Sequence, residues 1–129
     1  MGSSSERGRL RYLNATQIEG PVSSFDHLEV RSREDRTIGR LDGILIDPSE
    51  RRVRYFVVDD EDSRRHHRYL IPLAPTRLDA RRQALCVDVT TSDVEQCEDF
   101  EDASFPPFSD DDLLTALFAY DRHASGQPA

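Results

Sequence analysis

The chain has 129 residues, of which 33% are charged and 36% hydrophobic, and this length and composition predict one domain with a single modest core. Its formal net charge is -8, and with no lysine its 17 basic residues are all arginines, outnumbered by 25 acids, which disfavours a polyanion-binding protein. Two cysteines without C-x-x-C spacing exclude a disulfide framework, and no apolar run suits a transmembrane helix or secretory signal, so we expect a soluble cytoplasmic protein.

The N-terminal residues 1–13 show no hydrophobic periodicity, which predicts a flexible arm ahead of a domain spanning residues 14–90. The first clear strand is expected at residues 28–32, where apolar and charged residues alternate. A longer strand follows at residues 37–47 and contains Gly39 and Gly43. Glycines inside a strand indicate bends or close backbone contacts, as in a strand that curves around a small barrel.

The next strand, at residues 53–58, follows a turn signal at residues 47–49 and has apolar residues on both faces. Strict alternation places Val53, Tyr55 and Val57 on one face, with Phe56 and Val58 on the other. Such a strand is typical of the middle of a closed or well-covered sheet.

Further strands are predicted at residues 69–73, 76–79 and 85–89, with no helical period among them. Six short strands in this arrangement predict a mainly β fold, a small antiparallel barrel followed by one or two short helices. The core should include apolar residues from three of these strands: Ile44, Ile46, Val53, Tyr55, Val57 and Leu85.

Residues 91–129 are predicted to form an acidic helical extension. Two capping boxes, Ser92 with Glu95 and Ser109 with Asp112, indicate two helix starts. The second helix should carry one apolar stripe, formed by Leu113, Leu114, Leu117 and Phe118.

Charge is distributed unevenly along the chain. Residues 51–82 hold nine arginines and five acids, whereas residues 83–112 hold ten acids and no arginine. We therefore expect the acidic extension to fold back along an arginine-rich rim. Its apolar stripe would then be buried either on a barrel face or on the partner subunit of a dimer.

The order of segments 38–47, 53–59 and 69–73 resembles the PRC-barrel family. These segments are a glycine-containing strand that ends in an Asp-headed turn, a Val/Tyr strand, and a strand ending in Ile-Pro-Leu. The resemblance covers residues 14–90 and implies a PRC-type β-barrel. The family includes the cytoplasmic part of the photosynthetic reaction-centre H subunit, the barrel half of a ribosome-maturation factor and free-standing small proteins. It implies docking rather than catalysis and carries over no catalytic residue.

The residues with metal-binding or catalytic potential lack the required spacing. His66 and His67 are strand neighbours that point to opposite faces, and the acidic run at residues 59–62 lacks the spacing of a calcium loop. Cys86 and Cys97 are expected to be packing residues, and nearby acids should raise the pKa of the Cys97 thiol. We therefore predict no catalytic, cofactor-binding or metal-binding residues, and no bound cofactor.

These observations favour a non-enzymatic adaptor or assembly domain that binds a protein partner, with a homodimer as one arrangement. The alternatives are an accessory to ribosome or RNA maturation and an accessory to a membrane electron-transfer complex. RNA contact is disfavoured because the whole chain is acidic. The candidate partner surface combines the arginines of the rim with the apolar stripe: Arg51, Arg52, Arg54, Arg64, Arg65, Arg68, Leu113, Leu114, Leu117 and Phe118.

Overall fold

The computed structural model describes residues 8–18, 20, 24–60, 67–73 and 76–125, with the backbone alone for residues 119–125. These residues form seven strands: β1 (Arg11–Asn14), β2 (Glu29–Arg31), β3 (Thr37–Asp47), β4 (Arg52–Asp60), β5 (His67–Pro72), β6 (Thr76–Asp79) and β7 (Ala84–Val87). Two α-helices follow, α1 (Thr91–Val94) and α2 (Asp110–Ser125). Short 3-10 turns lie at Ala15–Gln17 and Asp102–Ser104.

Strand β3 organises the sheet because it pairs with three other strands. One of its edges pairs with β4 from Arg40 to Asp47. The other edge is shared, since its first half pairs with β2 and its second half, residues 43–46, pairs with β1. Between these two pairings, Leu41 exchanges backbone hydrogen bonds with residues 27 and 28.

The sheet is mixed and is not closed. Its strand order is β5-β4-β3-β2-β7-β6, with β1 beside β3, and β2 runs parallel to β7. The mainly β prediction is confirmed, but the all-antiparallel barrel of six strands is wrong in these details. Turn signals identify antiparallel hairpins between consecutive strands, whereas the parallel pairing joins Glu29 to Ala84, which are distant in sequence.

The first three residues of β1, residues 11–13, belong to the segment predicted as a flexible arm, and the structure includes them in the sheet. Leu10 is buried and the following four residues pair with β3. Gly43 permits this contact, because a Cβ atom there would lie 2.5 Å from the Leu13 carbonyl oxygen. Residues 1–7 of the predicted arm lie outside the described residues.

Two clusters of buried residues lie on opposite faces of the sheet. Their members alternate along β4, where Phe56 and Val58 belong to the first cluster and Val57 to the second. The first cluster is completed by residues of the other strands and of neighbouring loops: Ala15, Leu28, Val30, Leu41, Ile44, Tyr69, Ile71, Leu85 and Val87. The second consists of Leu10, Leu45, Val57, Leu70, Phe100 and Phe105. The prediction that β4 is a central, well-covered strand is thus confirmed.

A bulge in β4 changes the face assignment made from strict alternation. Leu45 pairs with Tyr55 but Ile46 pairs with Val53, so Arg54 is the extra residue of the bulge. One extra residue reverses the phase of the side chains. Val53 therefore packs against the first cluster and Tyr55 against the second, not on one face as predicted.

The predicted core residues fall into two groups. Ile44, Val57 and Leu85 are buried. Ile46, Val53 and Tyr55, which lie near the end of the β3–β4 hairpin, are only half-buried. The centre of the hairpin was therefore identified correctly, while burial at its end was overestimated.

The helix starts match the sequence patterns in one case out of two. At α2, Ser109 Oγ accepts the Asp112 N–H at 3.2 Å, and Ser109 N–H donates to the Asp112 carboxylate at 2.9 Å, as predicted. At α1 the capping box consists of Thr90 and Asp93 rather than Ser92 and Glu95. The two boxes overlap in sequence, and the extended conformation of Thr90 decides which one forms.

An ion-pair network holds the β2–β3 turn. Arg31 pairs with Glu29 and with Asp35 at 2.8 Å each, and Arg82 of the β6–β7 turn reaches Asp35 at 2.9 Å. Hydrogen bonds from Arg31 and then Arg82 lower the pKa of Asp35, and a hydrogen bond from Arg31 lowers the pKa of Glu29.

The capping box of α1 has a similar effect. Hydrogen bonds from the Thr90 backbone and side chain lower the pKa of Asp93.

We expect the substitution Val57→Asp to unfold or severely destabilise the domain. Val57 is fully buried at the centre of β4, and an unpaired carboxylate there should lower the free energy of unfolding by about 4 kcal/mol or more. Urea denaturation followed by circular dichroism measures this change. The exposed Arg52→Asp of the same strand is the control and should shift stability by less than about 1 kcal/mol; equal effects would contradict the assignment of the core.

The free energy of unfolding should decrease at acid pH because several carboxylates have a lowered pKa in the folded state. Such groups stabilise the fold at pH values above their unfolded-state pKa, and this stabilisation is lost as pH falls through their folded-state pKa. For Glu29, Asp35 and Asp93 the loss should therefore lie below about pH 4.5, with little change from there to neutrality. Urea midpoints measured from pH 7 to pH 3 test this, and Asp35→Asn should flatten the acid limb. A midpoint that falls mainly between pH 7 and pH 5 would contradict the assignment.

Candidate protein-binding surface

Residues 98–108, here called the strap, connect two edges of the sheet. Its first part pairs with β5, since Leu70 N–H donates to the Glu98 carbonyl at 2.8 Å and Phe100 N–H to the Arg68 carbonyl at 2.9 Å. Its last part pairs with β1, where Tyr12 N–H donates to the Pro106 carbonyl at 2.9 Å and Phe108 N–H donates to the Tyr12 carbonyl at 2.8 Å. The acidic extension therefore folds back over the domain along the edges of β5 and β1, and of the arginines predicted to form the rim it contacts Arg68 through Asp102.

Two aromatic side chains anchor the strap. Phe100 and Phe105 are buried, their rings stack with centroids 5.8 Å apart, and Tyr12 lies 5.2 Å from Phe100. They complete the second cluster, which contains Val57 and Leu70. Neither ring is among the core residues predicted from the sequence, so this role was missed.

A polar cluster lies beside these rings. The Tyr12 hydroxyl donates to an Asp42 carboxylate oxygen at 2.6 Å, and Asn14 donates to the Tyr12 oxygen at 3.1 Å. Arg68 lies 3.4 Å from the same Asp42 oxygen, donates to Asp102 of the strap at 2.7 Å, and places its guanidinium 4.9 Å from the Phe100 ring centroid.

These contacts raise the pKa of Tyr12 and of Arg68. Burial, followed by the hydrogen bond to Asp42, raises the pKa of Tyr12, so its phenol remains neutral. Burial lowers the pKa of Arg68, but the hydrogen bond to Asp102 and the charge of Asp42 leave it raised overall. The cationic guanidinium of Arg68 thus links Asp42 of the sheet to Asp102 of the strap, while the neutral Tyr12 phenol donates to Asp42.

The structure separates the arginines of the candidate partner surface. Arg51, Arg52 and Arg54 lie at the β3–β4 turn and the start of β4. Arg68 lies near the opposite end of the β4–β5 pair, opposite Asp59, and contacts the strap. It therefore does not extend the rim, and Arg64 and Arg65 lie outside the described residues.

A groove lies beside the rim arginines. A cavity of about 280 Å³ is lined by residues at the start of β4 and the end of β5: Arg52, Val53, Arg54, Tyr55, Pro72 and Leu73. These residues define the groove. A neighbouring cavity of about 410 Å³ shares Tyr55 and Pro72 and continues towards Val89 and Cys97. Leu73 is 46% exposed, so the groove presents apolar surface between cationic side chains.

The apolar stripe of α2 points away from the rest of the chain. Leu113, Leu114, Leu117 and Phe118 are 49%, 50%, 51% and 61% exposed. The more buried positions of this part of the helix are Asp112, which pairs with Arg11 at 3.2 Å, and Ala116. The prediction that the stripe is buried on a barrel face of its own chain is therefore wrong, while burial on a partner subunit stays a prediction.

The other candidate residues have local partners. His67 lies 2.9 Å from an Asp99 carboxylate oxygen and stacks on Tyr69, whereas His66 lies outside the described residues. Cys86 and Cys97 are half-buried, and burial, followed by the charge of Asp93, raises the pKa of the Cys97 thiol, in the predicted direction. Among the described residues, no three His, Cys, Asp or Glu side chains are placed to bind a metal.

The strand order of the sheet and the segments that form its strands β2 to β7 are those of a small β domain of the PRC-barrel type. The family model for the PRC-barrel domain matches residues 19–94, more than half of the chain, and the chain belongs to this family. A search of curated proteins found no match. Strand β1, the strap and α2 lie outside the matched segment. Within the described part of the chain, no helix combines the length and apolar character needed to cross a membrane.

Phe105→Ala should detach the strap from the sheet. Phe105 is 6% exposed, and truncation of a buried phenylalanine typically lowers the free energy of unfolding by about 3–5 kcal/mol. The matched control is Phe118→Ala, whose ring is 61% exposed and should change stability by less than about 1 kcal/mol. Amide hydrogen exchange should also accelerate at Tyr12 and Leu70, which donate to the strap. Equal effects of the two substitutions would show that the strap is not anchored by its rings.

Proposed function

We propose that the chain is a non-enzymatic adaptor or assembly domain that binds a protein partner through the stripe of α2 and the groove. The observation that carries this proposal is the exposure of the stripe, four large apolar side chains that are all about half exposed or more. Contiguous apolar patches of this kind typically mark interaction sites. Three aspartates lie at the start of α2, at the N-terminal end of the stripe.

Membership of the PRC-barrel family supports a small adaptor or assembly domain as the class of protein. The class of partner is inferred from the charges on this chain's own surface. A protein partner is favoured over RNA because the rim contains Arg51, Arg52 and Arg54 without Arg68, while the whole chain carries a net charge of -8.

The proposal that the chain is not an enzyme is supported by the contacts of the side chains that could take part in catalysis. The Tyr12 phenol and Arg68 both donate to Asp42, and Arg68 also donates to Asp102 of the strap. The Cys97 thiol has a raised pKa and donates to the Asp93 carbonyl, so it stays protonated at neutral pH. These groups stabilise the fold in the observed arrangement.

Affinity capture from native lysate tests the proposal when the stripe is varied. Immobilised wild-type chain should retain a specific protein, and Leu117→Glu should abolish this retention because it places a charge in the middle of the stripe. Thr115→Glu adds the same charge at an exposed position of α2 outside the stripe and should behave as wild type. Retention that is equal in all three chains, or absent in all three, would contradict the proposed binding surface.

A further inference from the structure

We infer that the partner of the stripe is a second copy of this chain, and that α2 of each chain lies in the groove of the other. This inference rests on the proposed function, since it names the protein that the same surface binds. It commits to a two-fold dimer with two identical helix-in-groove contacts.

The helix side of the contact combines an apolar face with acids. Asp110, Leu113, Leu114 and Leu117 have the spacing i, i+3, i+4 and i+7, which places them on one helix face. Asp112 pairs with Arg11 of its own chain, whereas Asp110 lies exposed at the N-terminal end of the stripe. The face is thus acidic at its start and apolar along the rest of its length.

The groove has the complementary character. Its apolar surface comes from Val53, Tyr55, Pro72 and the 46% exposed Leu73. Arg52 is exposed at its border, where the start of β4 also brings Arg54. A helix that enters with its apolar face on Leu73 would place Asp110 near these guanidinium groups. Exposed ion pairs contribute little affinity, so the apolar contact would hold the dimer and the charges would orient the helix.

The helix of the same chain does not provide this contact. Asp112 and Ala116 are the half-buried positions of its first two turns, and the stripe is left exposed on its other side. A second copy brings both missing surfaces at once, because each chain contains one stripe and one groove. A two-fold dimer therefore contains two copies of this small contact. The total buried area is then closer to that of a stable interface. Helix α2 has 16 residues and is about 24 Å long, enough to follow the groove.

Analytical ultracentrifugation of the full-length chain tests the dimer. Wild type should show a concentration-dependent equilibrium between one and two chain masses. Leu117→Glu on the stripe and Arg52→Glu in the groove should each weaken the dimer by about tenfold or more, while Thr115→Glu should leave it unchanged. All three positions are exposed, so thermal melts should confirm intact folds. Wild type that stays monomeric, or a Thr115→Glu effect equal to that of Leu117→Glu, would overturn the inference.

Mixing the two disabled chains identifies which surfaces meet. Leu117→Glu retains an intact groove and Arg52→Glu retains an intact stripe, so their mixture should form a heterodimer with one intact contact. This heterodimer should be tighter than either variant's self-association. If the stripes instead packed against each other, Arg52→Glu alone would dimerise as wild type and the mixture would gain nothing, which would overturn the inference.

The proposed function can fail independently of this inference. A monomeric wild type that still captures a lysate protein in a Leu117-dependent way would refute the homodimer and retain the adaptor function. A monomeric wild type that captures nothing would refute both.

Discussion

The burial of β4 on both faces is the constraint on which the rest of the structure depends. Phe56 and Val58 point into one cluster and Val57 into the other, so both faces of the sheet need cover. On the first face, side chains of β2 and β7 supply the cover. On the second face, Leu10 comes from the N-terminal side of the sheet, and Phe100 and Phe105 come from the strap. An apolar strand face left in water would expose Val57 and Leu70, so the strap acts as a structural layer of the fold.

The attachment of the strap also protects the sheet edges. Its backbone pairs with the edge of β5 and with the edge of β1, two edges that would otherwise present unpaired backbone groups. The rings of Phe100 and Phe105 supply the buried apolar area. Arg68 orients the strap through its hydrogen bond to Asp102, and the Tyr12 backbone pairs with residues 106 and 108. Because Asp102 is 70% exposed, its pair with Arg68 contributes little stability by itself. The buried rings therefore provide most of the stability of the strap's attachment, and the polar contacts mainly orient the strap.

The stripe of α2 takes no part in this packing, and the groove keeps exposed apolar surface at Leu73. The family match covers β2 to β7 and ends before the strap, so β1, the strap and α2 lie outside it. One end of the chain contributes β1 and Leu10, and the other contributes the strap and α2. The proposed adaptor function follows from this arrangement, because a stable sheet with its second face sealed by its own chain can present a separate apolar helix to a partner.

The sequence by itself determined the mainly β class, the β3–β4 hairpin, the family and the start of α2, because these depend on local patterns. Alternating apolar residues, turn signals and a capping box report the conformations of neighbouring residues. The bulge at Arg54 was hidden because one extra residue in a strand reverses the side-chain phase without any signal in the composition. The pairing of β1 with β3, the parallel β2–β7 contact and the burial of Phe105 were decided only in the tertiary structure. Each joins residues that are distant in sequence, and whether such residues meet depends on which faces and edges the rest of the chain leaves uncovered.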